Sequence, residues 1–189
     1  ILVTGGCGYI GSHTIIELLQ NNYEVLVIDN FHNSDRNIAS IINKISNKKI
    51  QIIEVDIRNY NELAKVFEHY DIDRVFHFAG LKSIKESNVN PDLYNDVNCI
   101  GSSNILDIMI KKKIYKFIFS SSALVYGEHK ILPWKENTNN LKPISPYAKS
   151  KLEVELMLQK KFNANKNWNI GILRYFNPMG SHTTGLLGD

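Results

Sequence analysis

The stretch Thr4-Gly5-Gly6-Cys7-Gly8-Tyr9-Ile10-Gly11 decides the fold of this chain. It follows a short apolar segment and opens a periodic helical pattern, with Gly5, Gly8 and Gly11 spaced as G-x-x-G-x-x-G. Glycines at such positions allow a tight turn and let a pyrophosphate approach the free N–H groups at a helix N-terminus. A short glycine pattern also occurs in ordinary turns, but its place between the first strand and the first helix favours a nucleotide site.

Strand-like and helix-like segments alternate along the rest of the chain. Short segments rich in Val, Ile and Phe are mostly apolar on both faces, which is typical of strands buried between two layers of helices. Strands are predicted at residues 1–3, 24–28, 50–55, 74–78, 116–120 and 169–174, and helices at 9–20, 37–45, 62–69, 92–109 and 147–162. Repeated βα units predict an α/β fold with a doubly wound parallel sheet of the Rossmann type. The least regular stretch, 126–144, is expected to be a long loop.

Two local signals support the helix starts. Ser145 precedes Pro146, which places a capping residue before a proline at the first helical position. Asn59, followed three residues later by Glu62, resembles a capping box.

The composition excludes several functional classes. The 189 residues are 43% hydrophobic and 22% charged with a formal charge of +3, so neither nucleic acid nor a membrane is indicated as a partner. No apolar run approaches the roughly 20 residues of a membrane-spanning helix. Cys7 and Cys99 lie in a Gly-rich turn and a predicted helix, which favours a reducing compartment, the cytoplasm, over a disulfide scaffold. The histidines are not clustered at ligand spacing, so no metal site is predicted.

Asp29 indicates which nucleotide the site takes. It ends the second predicted strand, where a carboxylate can bind both ribose hydroxyls and repel a 2′-phosphate. No arginine occupies 30–32, although Arg36 is near. The sequence therefore favours NAD over NADP, with a turn cap as the alternative role of Asp29. Asp56 follows the third strand and is either an adenine contact or a helix cap.

Tyr147 and Lys151 are the candidate acid–base pair, because their i, i+4 spacing places them on one helix face. A tyrosine acts as a base near neutral pH only if its pKa, about 10 when unperturbed, is lowered. A nearby ammonium and a positive nicotinamide ring would both favour the phenolate. Tyr126 and Lys130 share the spacing, but Gly127 and the following loop make a common face improbable for them.

Two strand ends are expected to line the same site. Ser120-Ser121-Ser122 closes the fifth predicted strand, and residues 78–82 close the fourth. Ligands of doubly wound sheets bind beyond the carboxyl ends of strands, so a hydroxyl there can hold or relay a substrate proton. A polar strand end without a function is the alternative for the serines.

Six phrases together resemble the short-chain dehydrogenase/reductase superfamily, in its extended branch that acts on nucleotide sugars, and within it the UDP-glucose 4-epimerase family. They are TGGCGYIGSH (4–13), DNFHNS (29–34), HFAGLK (77–82), FSSSA (119–123), SPYAKSK (145–151) and LRYFNP (173–178). They occur in the order of that family and span nearly the whole chain, and the phrases around Lys82 and Asn177 are the more specific ones.

The resemblance implies a role for each matching residue. Ser122, Tyr147 and Lys151 would be catalytic, and Lys82, Ser122, Tyr147 and Asn177 would contact the substrate. The cofactor NAD would be bound by Gly5, Gly8, Tyr9, Ile10, Gly11, Asp29, Asn30, Phe31, His32, Asn33, Ser34, Asp56, Ile57, Phe78, Ala79, Gly80, Lys82, Asn98, Tyr147, Lys151 and Phe176.

The resemblance also implies an activity and an assembly. The family inverts C4 of a UDP-hexose through a transient 4-keto sugar, so a UDP-sugar is the expected substrate and, by analogy only, a homodimer the expected assembly. Residues 1–175 would form the NAD-binding domain, and 176–189 the beginning of a truncated substrate-binding region. Another nucleotide-sugar epimerase, a dehydratase, a reductase or a non-catalytic NAD-binding regulator are the alternatives. Leu124 departs from the family, in which a threonine is usual.

Overall fold

Six parallel strands form one sheet, in the order β3-β2-β1-β4-β5-β6. The structure, a computed structural model, describes residues 1–128 and 132–188. The strands are β1 (Leu2–Thr4), β2 (Leu26–Asp29), β3 (Gln51–Glu54), β4 (Val75–His77), β5 (Lys116–Ser122) and β6 (Asn169–Tyr175). All neighbours pair in parallel, which requires a crossover after each strand.

Helices supply the crossovers on both faces of the sheet. They are α1 (Tyr9–Gln20), α2 (Ile38–Ser46), α3 (Tyr60–His69), α4 (Ile84–Val89), α5 (Pro91–Tyr94), α6 (Gly101–Lys111) and α7 (Pro146–Ala164). A π-helical segment, Asn95–Ile100, joins α5 to α6, and a 3₁₀ turn, Ala123–Tyr126, follows β5. The predicted doubly wound α/β fold is confirmed.

Capping residues in the sequence predicted the start of one helix and were overlooked at another. Ser145 accepts a hydrogen bond from the Ala148 N–H at 3.2 Å, which confirms the predicted cap of α7. Helix α4 was not predicted, although Ser83 and Glu86 carry the capping pattern and Ser83 Oγ accepts from the Glu86 N–H at 3.2 Å. The single helix expected at 92–109 contains the π-helical segment, which periodicity does not reveal. Lys130, of the second Tyr/Lys spacing, lies outside the described residues.

The core has two parts, one on each face of the sheet. One cluster joins β4 and β5 to α3, α6 and α7 and includes the fully buried Ile105, Leu106 and Phe117. The other joins β1 and β2 to α1 and α2. Burial on both faces, expected for every strand, is wrong for the two edge strands. Gln51 and Glu54 of β3 are exposed, and Ile172 and Leu173 of β6 are 37% and 41% exposed. Within the described part of the chain, no helix is long and apolar enough to cross a membrane.

A buried histidine connects three of these elements. His77 of β4 is 1% exposed, its Nδ1 lies 2.6 Å from Thr4 Oγ1 of β1, and its Nε2 lies 2.8 Å from Ser102 Oγ of α6. Ser102 donates its only hydroxyl proton to the carbonyl of Asn98 at 2.5 Å, so it accepts from His77. The imidazole is therefore neutral and protonated on Nε2, and Thr4 donates to Nδ1.

The surroundings of His77 oppose its protonation. Burial, and to a smaller extent the charge of Lys151, lower the pKa of His77 from 6.5 to about 3. The ring also packs against Phe117 and Phe119, with centroids 5.7 and 5.9 Å away. A protonated His77 would place an uncompensated charge in the core.

Acid should therefore destabilise the protein through His77. Below pH about 6.5 the His77 imidazole is protonated in the unfolded chain but stays neutral in the folded chain. The free energy of unfolding therefore falls as pH drops toward 3. Denaturant unfolding at several pH values should show a shallower acid slope for His77→Gln than for the wild type. The exposed His32→Gln variant should retain the wild-type slope, and equal slopes in all three proteins would contradict the assignment.

Candidate active site

The candidate site lies beyond the carboxyl ends of β1, β4 and β5. The strand order reverses between β1 and β4, because the chain first builds outward through β2 and β3 and then continues on the other side. Ligands of open α/β sheets bind in the crevice at such a switch point. The predicted glycine turn, the segment after β4 and the serines of β5 all reach this crevice.

The glycine turn forms a cradle for an anion. Gly5 has a φ of +65°, and a Cβ there would lie 2.5 Å from the Ala79 nitrogen. A Cβ on Gly11 would lie 2.4 Å from the Gly5 carbonyl oxygen. Gly8, the N-cap of α1, has only that oxygen near its Cβ position, at 3.4 Å. Two glycines are thus needed for chain packing, while the third leaves room for a ligand at the positive end of the helix.

Asp29 organises the segment that follows β2. Its carboxylate is 8% exposed and accepts three hydrogen bonds at 2.9 Å, from the N–H groups of Cys7 and Phe31 and from Ser34 Oγ. The bond from Cys7 links the glycine turn to the segment that starts at Asn30. The role of Asp29 as a turn cap is therefore realised, and the same carboxylate stands where a ribose was expected.

Arg36 is engaged away from this carboxylate. Its guanidinium makes two bonds to Glu54, at 2.6 and 2.7 Å, and lies 4.4 Å above the ring of Phe31. The cation that would accommodate a 2′-phosphate thus already has a partner.

Asp56 does not cap a helix, because the N-cap of α3 is Asn59, and its role near adenine stays a prediction. It accepts from the backbone and guanidinium of Arg58 and, at 3.0 Å, from the side-chain amide of Asn30. The hydrogen bonds from Arg58 hold the pKa of Asp56 far below its usual range. Of the other residues expected near adenosine, Ile57 is buried in the core, whereas His32 and Asn33 are exposed.

The segment after β4 approaches α7, the helix that carries Tyr147 and Lys151, at Gly80. The N–H groups of Phe78 and Ala79 donate to Thr4, at 3.0 and 3.3 Å, which aligns this segment with the glycine turn. A Cβ on Gly80 would lie 2.9 Å from Asn98 Oδ1 and 3.5 Å from Lys151 Nζ. A glycine at this position therefore lets β4, the π-helical segment and α7 approach one another.

Both polar atoms of the Asn98 side chain form hydrogen bonds within the protein. Its Oδ1 accepts from the Leu81 N–H at 2.8 Å, and its Nδ2 donates to the Leu81 carbonyl and to Ser150 Oγ. Ser150 in turn donates to the carbonyl of Tyr147 at 2.7 Å. Asn98 thus contributes to the site by holding the segment after β4 and the first turn of α7 in place.

Tyr147, Lys151 and Ser122 come together as predicted. Lys151 is 6% exposed, donates to the carbonyl of Ser120 at 3.0 Å, and has its Nζ 5.9 Å from the centroid of the Tyr147 ring. Tyr147 hydrogen-bonds to Ser122 and meets the ring edge of Tyr94, with centroids 6.4 Å apart. A hydroxyl, a phenol and an ammonium therefore share one end of the crevice.

The charge state of this group differs from the expectation. Burial raises the pKa of Tyr147, and its hydrogen bond with Ser122 acts in the opposite direction without reversing the shift. Burial lowers the pKa of Lys151 to about 8. The protein side chains alone therefore do not produce the lowered tyrosine pKa predicted from the sequence, because desolvation of the phenol outweighs the interactions that favour its anion.

Three of the residues expected at the ligands are exposed. They are Lys82 and Asn177, expected at the substrate, and Phe176, expected at the nicotinamide, and Leu124 is also 41% exposed. Phe176 stacks on Trp134 with centroids 6.0 Å apart, and Trp134 stacks on Tyr126 at 5.1 Å. Lys82, Phe176 and Asn177 are therefore accessible from solvent.

Sequence reasoning missed two charged residues beside the site. Glu155 and Arg174 form an ion pair of 2.7 Å whose side chains are 6% and 16% exposed. The signal was available, because Glu155 lies eight residues after Tyr147 on the same helix face and Arg174 belongs to a quoted phrase. Among the described residues, no group of three or more His, Cys, Asp or Glu side chains lies close enough to hold a metal ion.

Known proteins resemble this chain in both sequence and fold. Residues 1–187 match the NAD dependent epimerase/dehydratase family. The whole chain is 43% identical to 55% of a UDP-glucose 4-epimerase of Dictyostelium discoideum, and 41% identical to 56% of the human UDP-glucose 4-epimerase. It superposes with a TM-score of 0.97 and 42% identity on a crystal structure of the Bifidobacterium longum UDP-glucose 4-epimerase in complex with NAD⁺ and UDP, again over the whole chain and 56% of that protein.

The chain thus spans about half the length of the curated relatives it matches. Over that half, the glycine cradle, the buried Asp29 and the Tyr147–Lys151 pair stand in a fold shared with solved epimerases. The chain belongs to the NAD dependent epimerase/dehydratase family.

Proposed function

We propose that the full-length protein is an NAD-dependent UDP-glucose 4-epimerase, an isomerase that interconverts UDP-glucose and UDP-galactose. The observation that carries the proposal is the junction of Tyr147, Ser122 and Lys151 with the glycine cradle at one switch point. The identity of 40–43% to curated UDP-glucose 4-epimerases supports this substrate class.

NAD fits the residues of the crevice. The space left open at Gly8 accepts a pyrophosphate at the N-terminus of α1, and the carboxylate of Asp29 offers its remaining lone pairs to ribose hydroxyls. Arg36 is paired with Glu54, so the adenosine side favours NAD over NADP. The Gly-loop residues, the segment 29–34, Asp56 and residues 78–80 would hold the cofactor, with Lys151 at its nicotinamide ribose and Phe176 at the nicotinamide.

When bound, NAD supplies a reversible hydride acceptor for C4 of the sugar. Tyr147 would take the proton of the 4-hydroxyl as C4 is oxidised to the ketone. Once the 4-keto sugar has turned within the site, Tyr147 would return the proton to the same oxygen as C4 is reduced. Because the same phenol serves both directions, no external acid or base is consumed.

The neighbours of Tyr147 prepare it for this role. Ser122 hydrogen-bonds to the phenol and holds the 4-hydroxyl, and Lys151 places its ammonium beside the ring. Since the protein side chains alone leave the tyrosine pKa raised, the positive charge of the bound cofactor is needed to favour the phenolate. Lys82 and Asn177, both exposed, would contact the UDP-sugar.

We further propose that residues 1–175 form the NAD-binding domain and that 176–189 begin the substrate-binding region. The exposed apolar residues Phe176, at 64%, and Met179, at 89%, support a cover over this end of the sheet. The buried free thiols Cys7 and Cys99 support a cytoplasmic location.

A homodimer is proposed on the helices behind the site. A groove between the π-helical segment and α7 is lined by Ile100 and Met157, among others. Ile100, Leu156 and Phe162 are 47%, 43% and 41% exposed, an apolar fraction that a helical interface would cover.

Gly8→Ala should weaken NAD binding without disturbing the fold. The backbone of Gly8 has φ −75° and ψ 172°, which alanine adopts freely, but the added methyl would occupy the space for the pyrophosphate. Isothermal titration with NAD should show affinity reduced roughly tenfold or more, about 1.4 kcal/mol. Gly11→Ala should also lower the melting temperature, because its methyl meets the Gly5 carbonyl. Unchanged NAD affinity in Gly8→Ala would remove the pyrophosphate from this turn.

Tyr147→Phe should nearly abolish turnover while leaving NAD bound. The full-length protein, given UDP-galactose and no added cofactor, should form UDP-glucose, and loss of the phenol should cost about 10²–10⁴-fold in kcat. Tyr23→Phe, at a position 47% exposed on the loop after α1, is the control and should stay close to wild-type activity.

Full activity of Tyr147→Phe would sink the catalytic assignment. If the wild type retains NAD but does not convert UDP-galactose, the substrate is another nucleotide sugar or the enzyme is a reductase, which would consume NADH in proportion to product. A non-catalytic NAD-binding regulator would show no turnover with any UDP-sugar.

The dimer is tested by charge on the exposed apolar face. Leu156→Glu in the full-length protein should shift sedimentation equilibrium from dimer toward monomer, because an interface cannot bury an unpaired carboxylate. Tyr23→Glu, at a position 47% exposed on the loop after α1, should leave the mass unchanged. A monomeric wild type would refute the proposed assembly.

A further inference from the structure

The Glu155–Arg174 pair is more buried than the other ion pairs described in the structure. Arg174 Nη2 lies 2.7 Å from Glu155 Oε2, and Arg174 Nε lies 3.0 and 3.2 Å from the two carboxylate oxygens. The other pairs among the described residues leave at least 27% of each side chain exposed. Burying two charges is costly and gives little net stability, so stability alone does not explain this pair.

Glu155 stands on the catalytic face of α7. Tyr147, Lys151 and Glu155 follow one another at intervals of four residues, which aligns them along one side of the helix. Each is held by a different residue at the end of β5: Tyr147 by Ser122, Lys151 by the carbonyl of Ser120, and Glu155 by Ser121 Oγ, which donates to it.

Arg174 reaches Glu155 from the neighbouring strand. Arg174 of β6 is the register partner of Ser121 in β5, so the guanidinium and the hydroxyl approach the carboxylate from adjacent strands. Arg174 also lies 4.9 Å from the ring centroid of Tyr126 and donates to the Glu136 carbonyl at 3.3 Å. These contacts fix the guanidinium, and hydrogen bonding to Glu155 raises the pKa of Arg174 further, so its charge is permanent.

Without Arg174, the nearest cation on the same face of α7 would be Lys151. A lysine and a glutamate at i and i+4 are neighbours on a helix surface and can pair, although less favourably in this order than with the glutamate first. Here they do not: Lys151 donates to Ser120 and lies 5.1 Å from the ring centroid of Phe119, and Glu155 binds Arg174 and Ser121. Lys151 and Glu155 do not pair with each other because each side chain is bound to other groups.

We propose that Arg174 is a positioning residue that binds the carboxylate of Glu155 and thereby keeps the ammonium of Lys151 directed toward Ser120 and Tyr147. The inference deepens the proposed function, because it rests on Tyr147 acting as the acid–base group. Removing the guanidinium would leave a buried carboxylate one turn from Lys151 and draw the ammonium away from the phenol.

The consequence is a change in the ionisation of Tyr147. With Lys151 drawn to Glu155, the phenolate loses a neighbouring positive charge, so the pKa of Tyr147 rises and turnover is lost on the acid side. The other titratable groups that face this pair are unchanged by the substitution. They are Tyr94 against the Tyr147 ring, and Cys99 and His77 near Lys151.

The test compares Arg174→Met with the double variant Arg174→Met/Glu155→Gln in the full-length protein with bound NAD. The pH dependence of kcat for UDP-galactose should move upward by about one unit in Arg174→Met, which lowers kcat about tenfold below the midpoint. The double variant, which has no carboxylate to attract Lys151, should return toward the wild-type midpoint, and KM should change little in either.

Two further variants separate positioning from general stability. Glu155→Gln alone should keep the wild-type midpoint. Lys161→Met removes an exposed ion pair between α7 and Asp107 of α6, at 3.2 Å, and should also keep it. A lowered melting temperature in Arg174→Met with an unmoved midpoint would overturn the proposal, and so would a midpoint in Glu155→Gln shifted as far as in Arg174→Met.

A substrate-free measurement keeps this test apart from the proposed function. The tyrosinate absorbance of the holoprotein, taken as the difference from Tyr147→Phe, reports the ionisation of Tyr147 directly. It should titrate at higher pH in Arg174→Met, or in Arg174→Gln if the methionine variant does not fold. Failure to convert UDP-galactose with this shift present refutes only the substrate, whereas an unshifted titration refutes the role of Arg174.

Discussion

One face of α7 meets the end of β5, and the chemistry of the site depends on that contact. Tyr147, Lys151 and Glu155 are spaced by helical turns, whereas Ser120, Ser121 and Ser122 are spaced along a strand. A helix rises about 1.5 Å per residue and a strand about 3.3 Å. From Tyr147 to Glu155 the helix covers about 12 Å, whereas Ser120 to Ser122 cover only about 6.6 Å. The three side chains of α7 therefore converge on one short strand end.

The rest of the crevice is fixed to this contact through buried polar groups. Ser150 links the first turn of α7 to Asn98, and Asn98 holds the segment that follows β4. Ser102 and His77 continue the connection to Thr4, which precedes the glycine turn. Each of these groups has its hydrogen-bonding partners within the protein, so the two ends of the site are held in a defined relative position.

The parts of this structure that sequence reasoning predicted are those with local or topological causes. The glycine turn, the cap at Ser145 and the meeting of strand ends follow from spacing and from the geometry of a parallel sheet. The π-helical segment was not predicted, since a single i→i+5 turn inside a longer helical pattern is too short for hydrophobic periodicity to distinguish it from an α-helix. The sequence offered a signal for Glu155 and Arg174 individually, but their pairing depends on the register between β5 and β6, which no single segment contains.

The direction of the pKa shift of Tyr147 could not be predicted from the residue types either, because it depends on tertiary structure. An ammonium four residues away indicates a lowered pKa, but the balance depends on how deeply the phenol is buried and on where the ammonium donates its protons. In the folded chain the Lys151 ammonium points to the Ser120 carbonyl and desolvation dominates.

The carboxylate of Asp29 has a consequence for the kinetics of ligand exchange. Because it binds Cys7, Phe31 and Ser34 within the protein, the glycine turn and the segment after β2 are already ordered before a nucleotide arrives. Little conformational entropy then remains to be lost on association, and dissociation cannot proceed by simple fraying of either segment. A cofactor seated there would leave slowly, which suits a catalyst that reuses one molecule for many turnovers.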